Sequence, residues 1–262
     1  MAGSSDGTVG KALEVLDQVA DFGRPVRFGE LLEGSAFPKA TLYRFVQTLT
    51  NQRMLSYDED RQTYTPGLRL VRLAHTAWAQ ASLAPIARPY LDSLSEAVGE
   101  TVHLAQLDHA HVLYVDKRNP AEPVQMYSSA GKVGPAYCTG VGKVMLAYLP
   151  EEELSTVLDQ QSYHRFTSAT LANRDSLMQD VQAIRESGYG FDREEHEPGI
   201  ICVAVPILTE QGRALGALSV TSTMRRTNLA GLERLVPQIR ETAQKIATDA
   251  ANWHFPDTQK TN

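Results

Sequence analysis

The chain has 262 residues, 42% hydrophobic and 21% charged, a globular composition with length for one large domain or two smaller ones. The longest nearly uninterrupted apolar run, Ile200 to Leu208, holds nine residues against the roughly 20 that a spanning helix needs, so no membrane passage or membrane partner is expected. Met1 to Gly10 carries neither a basic nor an apolar leader, and two cysteines, Cys138 and Cys202, make no disulfide framework, so the reading is a cytoplasmic chain with reduced thiols. The net charge of −6 argues against a protein that coats nucleic acid indiscriminately. That charge is uneven: nine basic and nine acidic residues balance over 1–83, whereas 16 basic and 22 acidic residues occupy 84–262. Within 22–72, eight basic residues face five acidic ones, so two modules are expected and only the first can approach phosphates.

The first module reads as three helices and a hairpin. Val9, Leu13, Leu16, Val19 and Ala20 recur at helical spacing and predict an amphipathic helix ended by Gly23 and Pro25. A short helix fits Phe28 to Glu33. The turn Gly34-Ser35-Ala36-Phe37 follows, and Pro38 then opens a helix to about Gln52. In that third helix Leu42, Phe45, Val46 and Leu49 form the apolar stripe, leaving Lys39, Thr41, Tyr43, Arg44 and Gln47 on a polar face suited to the major groove of double-stranded DNA. Met54 to Tyr57 and Gln62 to Thr65, around Asp58-Glu59-Asp60-Arg61, predict a β-hairpin wing. A further helix, Leu68 to Ala81, carries Leu70, Val71, Ala74, Ala77, Trp78 and Ala81 on one side. That stripe packs either against a second chain, with Trp78 as the dimer contact, or within its own chain.

The second module mixes antiparallel strands with helices and lacks βαβ alternation, which makes it an α+β domain. Its expected elements are a helix at Ile86 to Val98, strands at Thr101 to Leu107, Val112 to Lys117 and Val124 to Tyr127, and a Gly-rich bend at Gly131 to Pro135. Helices from Gly140 to Pro150, Glu151 to Gln160 and Arg174 to Ser187 follow, then a hairpin of Ile200–Leu208 with Ala214–Thr221 and a last helix from Asn228 to Trp253. The division expected is 1–67 for the winged helix-turn-helix, 68–82 for a linker helix, 83–254 for the second domain and 255–262 for a flexible tail.

Gly142-Lys143 does not complete a phosphate loop, because Tyr137 and Val144 stand where that motif needs Gly and Ser or Thr. The start of that helix offers the amides of Gly140 and Val141 to a small carboxylate, unless it is simply a tight turn. A four-residue loop, Thr209 to Gly212, pairs Leu208 with Arg213, Cys202 with Ser219 and Ile200 with Thr221, placing these last four on one sheet face. A thiol, two hydroxyls and an aliphatic chain together suit a pocket for a small polar organic ligand, though buried Cys, Ser and Thr also occur in plain cores. Asp192 is the one residue of the acidic run Asp192 to Glu197 placed to reach inward. His109 and His111 lack a third ligand, so no metal is expected, nor any other cofactor. Neither cysteine has an adjacent His, so no catalytic residue is assigned.

Several motifs, spread from about Val9 to Asn252, resemble the IclR family of bacterial transcriptional regulators. They are Pro38-Lys39-Ala40-Thr41-Leu42-Tyr43-Arg44, the stretch Gly134 to Lys143 with Leu146-Ala147, Asp192-Arg193-Glu194-Glu195 with Gly199 to Pro206, and Gly216 to Val220. Ala40 stands where the family usually has Ser, and Val141 where a smaller residue is common. The resemblance implies a winged helix-turn-helix, a linker helix and a GAF-like effector domain, assembled as a homodimer or a dimer of dimers on operator DNA. It implies an effector pocket at Gly140, Val141, Asp192, Ile200, Cys202, Ser219 and Thr221, with Met126 on its apolar side. A small carboxylic, keto, aromatic or sugar acid acting on a catabolic operon is the expected effector. The rival reading is a small-molecule enzyme or sensor with a helix-turn-helix as a structural cap.

Overall fold

The structure is a computed structural model that describes residues 7–120 and 125–251, without the side chains of 79–81. The tail expected at 255–262 lies outside the described residues. Two compact units, Met1–Gln80 and Ala81–Asn262, divide the chain.

In the first unit α1 (Gly7–Asp21), α2 (Phe28–Glu33) and α3 (Lys39–Asn51) pack around Val15, Leu31, Leu42, Phe45 and Val46. All four stripe residues of α3 are buried, as their spacing predicts. The stripe expected on α1 is corrected: Val9, Leu13 and Ala20 are exposed, and the core side runs through Ala12, Val15, Leu16 and Val19. Leu16 belongs to both rows, so periodicity alone does not tell them apart. Strands β2 (Leu55–Asp58) and β3 (Thr63–Pro66) form the wing, and β1 (Val26–Arg27) joins it in the order β1-β3-β2. Two residues are too few to show alternation, which hid β1 from the sequence. The helix α4 (Leu68–Ala81) follows.

The second unit starts with α5 (Ala84–Val98), stopped by Gly99 at φ 64°. A hairpin of β4 (Thr101–Asp108) and β5 (His111–Arg118) precedes β6 (Val133–Pro135), α6 (Gly140–Ala147), α7 (Glu151–Gln160) and α8 (Arg174–Ser187). Asn173 caps α8 by accepting from the Ser176 amide at 2.9 Å. Then come β7 (Gly190–Arg193), β8 (Ile200–Leu208), β9 (Ala214–Thr223), α9 (Leu229–Glu233) and α10 (Val236–Ala250). The antiparallel sheet has the order β6-β5-β4-β9-β8-β7. Its two faces follow from alternation: His103, Ala105, Ser219, Thr221, Cys202 and Ala204 turn toward α6, which α8 backs. Val102, Leu104, Val203, Val205 and Val220 turn to the other side, which α5 and α10 cover.

Three expected elements differ. Gln125 to Tyr127 is not a strand, Val124 lies outside the described residues, and the edge strand is instead β6, within the expected bend. The last helix breaks between Glu233 and Val236, because Pro237 lacks an amide hydrogen and fits only the first turn of a new helix; Trp253 lies outside the described residues. The hairpin register also slips: Cys202 faces Thr221, Ala204 faces Ser219 and Ile200 faces Thr223, with an irregularity at Ile207/Leu208. Because the slip is two residues, every side chain keeps its face, so the shared face expected for Ile200, Cys202, Ser219 and Thr221 survives.

Candidate functional site

Between the sheet and the start of α6 the second unit encloses a cavity. All of Met126, Gly140, Val141, Asp192, Ile200, Cys202, Ser219 and Thr221 line it. His103, Tyr114, Ser128, Thr139, His196 and Glu197 complete the wall, and sequence reasoning missed them. For His103 and Tyr114 a signal existed: each is a polar-tipped ring at an alternating position within the apolar stretch of its strand, Val102–Ala105 or Val112–Val115, facing α6. Ser128 and Glu197 lie in irregular segments where no periodicity points anywhere.

The polar groups are organised around His103, a buried ring on β4. Its Nε2 lies 2.8 Å from Ser128 Oγ, and its Nδ1 lies 3.2 Å from Thr221 Oγ1 and 3.5 Å from Ser219 Oγ. Burial, together with the charge of Lys117, pushes its pKa down to about 3, so the ring is neutral. Burial and then the charge of Glu195 push the Asp192 carboxyl up to about 7 against the pull of Lys143, and Asp192 Oδ1 accepts the Glu195 amide at 2.7 Å. Burial opposes ionisation of Glu197, but His196, the Tyr127 amide and Lys117 outweigh it and hold this carboxyl below the usual range. Glu197 thereby fastens the segment that carries Met126, accepting the Tyr127 amide at 2.9 Å, while Lys117 Nζ donates to Ser128 O at 2.8 Å.

Burial pushes the Cys202 thiol up to about 12 and raises that of Cys138, so neither is an activated nucleophile at neutral pH. The backbone amides of Asp192 and Gly140 lie against the Cys202 sulfur. The amide of Gly140 is therefore engaged by the protein, and Val141 is the one of the two expected amides left to meet an anion. A Cβ on residue 140 would sit 2.5 Å from Cys202 Sγ, so this Gly lets α6 close on β8.

Lys143 explains why the helix start is not a phosphate loop. Its side chain is wholly buried and taken up by ion pairs, with Nζ 2.7 Å from Asp180 Oδ2 on α8 and also paired with Glu195 Oε1. The expectation that only Asp192 of the acidic run reaches inward is thus corrected: Glu195 is buried too, drawn in by the cation at the fourth residue of α6, and His196 and Glu197 reach the cavity wall.

In the first unit, α3 presents Lys39, Tyr43 and Arg44 exposed and Thr41 and Gln47 half-buried. The Tyr43 ring packs edge-on to Phe28, and Gln47 bonds the side chain of Tyr64 in the wing. Helix α4 keeps Leu68, Val71 and Leu73 exposed and Trp78 half-buried.

A family model described as the IclR helix-turn-helix domain matches residues 8–59, and one described as the C-terminal part of the bacterial transcriptional regulator IclR matches 75–248. The chain belongs to the IclR family. Among the relatives of this IclR-family regulator, XynR, an HTH-type transcriptional regulator of Escherichia coli K12, is 31% identical over 89% of this chain and 93% of its own. KdgR of the same organism, also an HTH-type transcriptional regulator, is 30% identical over 89% of both chains. The crystal structure of Thermotoga maritima IclR superposes with a TM-score of 0.72 at 28% identity, covering 93% of this chain and 98% of that one. The α+β unit with its antiparallel sheet and the winged helix-turn-helix are therefore the family's fold. No helix among the described residues is long and apolar enough to cross a membrane.

Proposed function

We propose that this IclR-family regulator is gated by a small organic acid and switches a catabolic operon. The observation that carries the reading is the polar cavity at the start of α6, built into the core of a unit whose sheet and helices are otherwise closely packed. An acid group sits at the Val141 amide, with Asp192, Cys202, Ser219 and Thr221 around its polar part and Met126 and Ile200 along its apolar side. On operator DNA, Lys39, Thr41, Tyr43, Arg44 and Gln47 of the 1–67 domain form the contact surface. The linker helix at 68–82 supplies Trp78 to a homodimer or a dimer of dimers, and 83–254 holds the effector. Burial keeps the thiols of Cys202 and Cys138 un-ionised, which supports binding over cysteine-based turnover in this cavity.

The test is fluorescence anisotropy of the full chain on a duplex selected by the protein itself, with and without a panel of small acids. An acid that changes DNA affinity for the parent should act at about two- to tenfold higher concentration in Ser219→Ala, while that variant binds the duplex normally without ligand, since one hydrogen bond contributes about 0.5–1.5 kcal/mol. An acid response left intact in Ser219→Ala and in Ile200→Trp counts against this cavity.

A further inference from the structure

His103 lies directly across from Ser219 in the β4–β9 register, one strand from the cavity's centre. Three hydroxyls, those of Ser128, Thr221 and Ser219, meet its two ring nitrogens. A neutral imidazole offers one N–H and one lone pair, so in either tautomer the ring serves two hydroxyls well and leaves a third short. Ser128 takes Nε2 at 2.8 Å, and Thr221 is nearer Nδ1 at 3.2 Å. Ser219, at 3.5 Å, holds a bond at the limit of hydrogen-bond length although it is 98% shielded from solvent, 2% of its surface being accessible. Its neighbour on β8 is Ala204, whose methyl offers no partner. The depressed pKa of His103 keeps this shortfall in place across the physiological range.

Resting on the reading of this cavity as the effector site, we infer that His103 is its specificity-determining residue and selects an acid that bears a hydroxyl over the same acid without one. A ligand hydroxyl both donates and accepts, so it completes Ser219 whichever way the His103 tautomer turns it, whereas a keto oxygen only accepts. Space points the same way. The cavity leaves about 30 Å³ for the centres of water-sized groups. One water needs roughly 10–15 Å³ by that measure, so two or three small polar groups fit before any ring does. Only Met126, Gly140, Val141 and Ile200 bring no polar side-chain group to the wall.

Calorimetry on the full chain with two matched pairs tests this: lactate against propionate, and glycolate against acetate, each pair differing by one hydroxyl. The hydroxy acid should bind at least tenfold tighter than its partner, because a site built around a ligand hydroxyl leaves polar groups unpaired when it is missing. His103→Phe and Ser219→Ala should each bring the ratio within threefold, and His103→Gln, which keeps a donor and an acceptor, should retain more of it than His103→Phe. Circular dichroism establishes that each variant is folded; should His103→Phe not be, Ser219→Ala decides alone. Acids that bind with a ratio near one in the parent, or with an unchanged ratio in the variants, overturn the role of His103 and leave the cavity standing. Binding of none of the four, or binding unaltered by Ile200→Trp, overturns the reading of the cavity as well.

Discussion

Two buried groups on neighbouring walls of the cavity titrate in opposite senses. Asp192, raised from 3.8 to about 7, holds a proton in the native state that the unfolded chain has lost, so between those values stability falls as pH rises. His103, lowered from 6.5 to about 3, refuses a proton that the unfolded chain takes up, so between those values stability falls as pH drops. Their windows overlap, and the parent's profile there is the difference of the two. Asp192→Asn should therefore become more stable relative to the parent as pH rises from 4.5 to 6.5, by up to about 1.4 kcal/mol per pH unit. His103→Gln should show the reverse trend. Urea midpoints for the three proteins across that range check both signs, and parallel curves would mean that neither group is perturbed in the fold.

At the level of elements, α6 is the piece on which the cavity depends, since all eight of its residues are buried. It is held at three places: Gly140 against Cys202, Lys143 in the Asp180 and Glu195 pair, and Ala147 O accepting from Arg185 Nε at 2.7 Å. Gly140→Ala should cost about 1–3 kcal/mol by forcing the helix off β8, even though Ala is the better helix former. Adding Cys202→Ala, which removes the sulfur that the new Cβ meets, should recover part of that loss, and a double-mutant cycle in urea measures the coupling. A coupling of zero would separate Gly140 from β8. The exposed apolar side chains of α4 make a second element-scale prediction. With Leu68 85% and Val71 64% exposed, a partner surface is the proposed cover, and Trp78→Glu would place a charge in it. Sedimentation velocity should then show a shift toward monomer; an unchanged oligomer of a folded variant removes Trp78 from the contact.

The whole molecule joins a charge-balanced first unit to one that carries the net negative charge. Such a distribution repels a polyanion from the second unit and, with eight basic against five acidic residues over 22–72, supports the first as the proposed DNA-facing one. Arg44, exposed on α3 with its guanidinium beside the Phe45 ring, is the test of that face. Arg44→Ala should weaken operator binding by about 1–3 kcal/mol with relaxed sequence preference if it reads a base, or equally on all duplexes with a shallower salt slope if it holds a phosphate. Titrations at two salt concentrations on cognate and scrambled duplexes distinguish the two, and unchanged binding in all four would take α3 out of the groove.

Local patterns alone determined the three-helix unit and its wing, the helix from 68 to 81, the β8–β9 hairpin and the common face of Ile200, Cys202, Ser219 and Thr221. Each rests on a period of 3.6 or 2, and a period of 2 preserves faces even when the register slips by two, as it does here. Longer motifs, such as Gly134 to Lys143, carried the family. Tertiary structure decided what no period encodes. It selected which of two rows through Leu16 is core, brought β7 in to pair with β8, and folded Glu195 inward to meet Lys143. It also placed His103, from a strand some hundred positions before β9, at the centre of the hydroxyls. The physical reason is the same in each case. Burial of a charge or an imidazole is tolerated only where partners distant in sequence satisfy it, and those partners become neighbours only when the sheet and α6 close together.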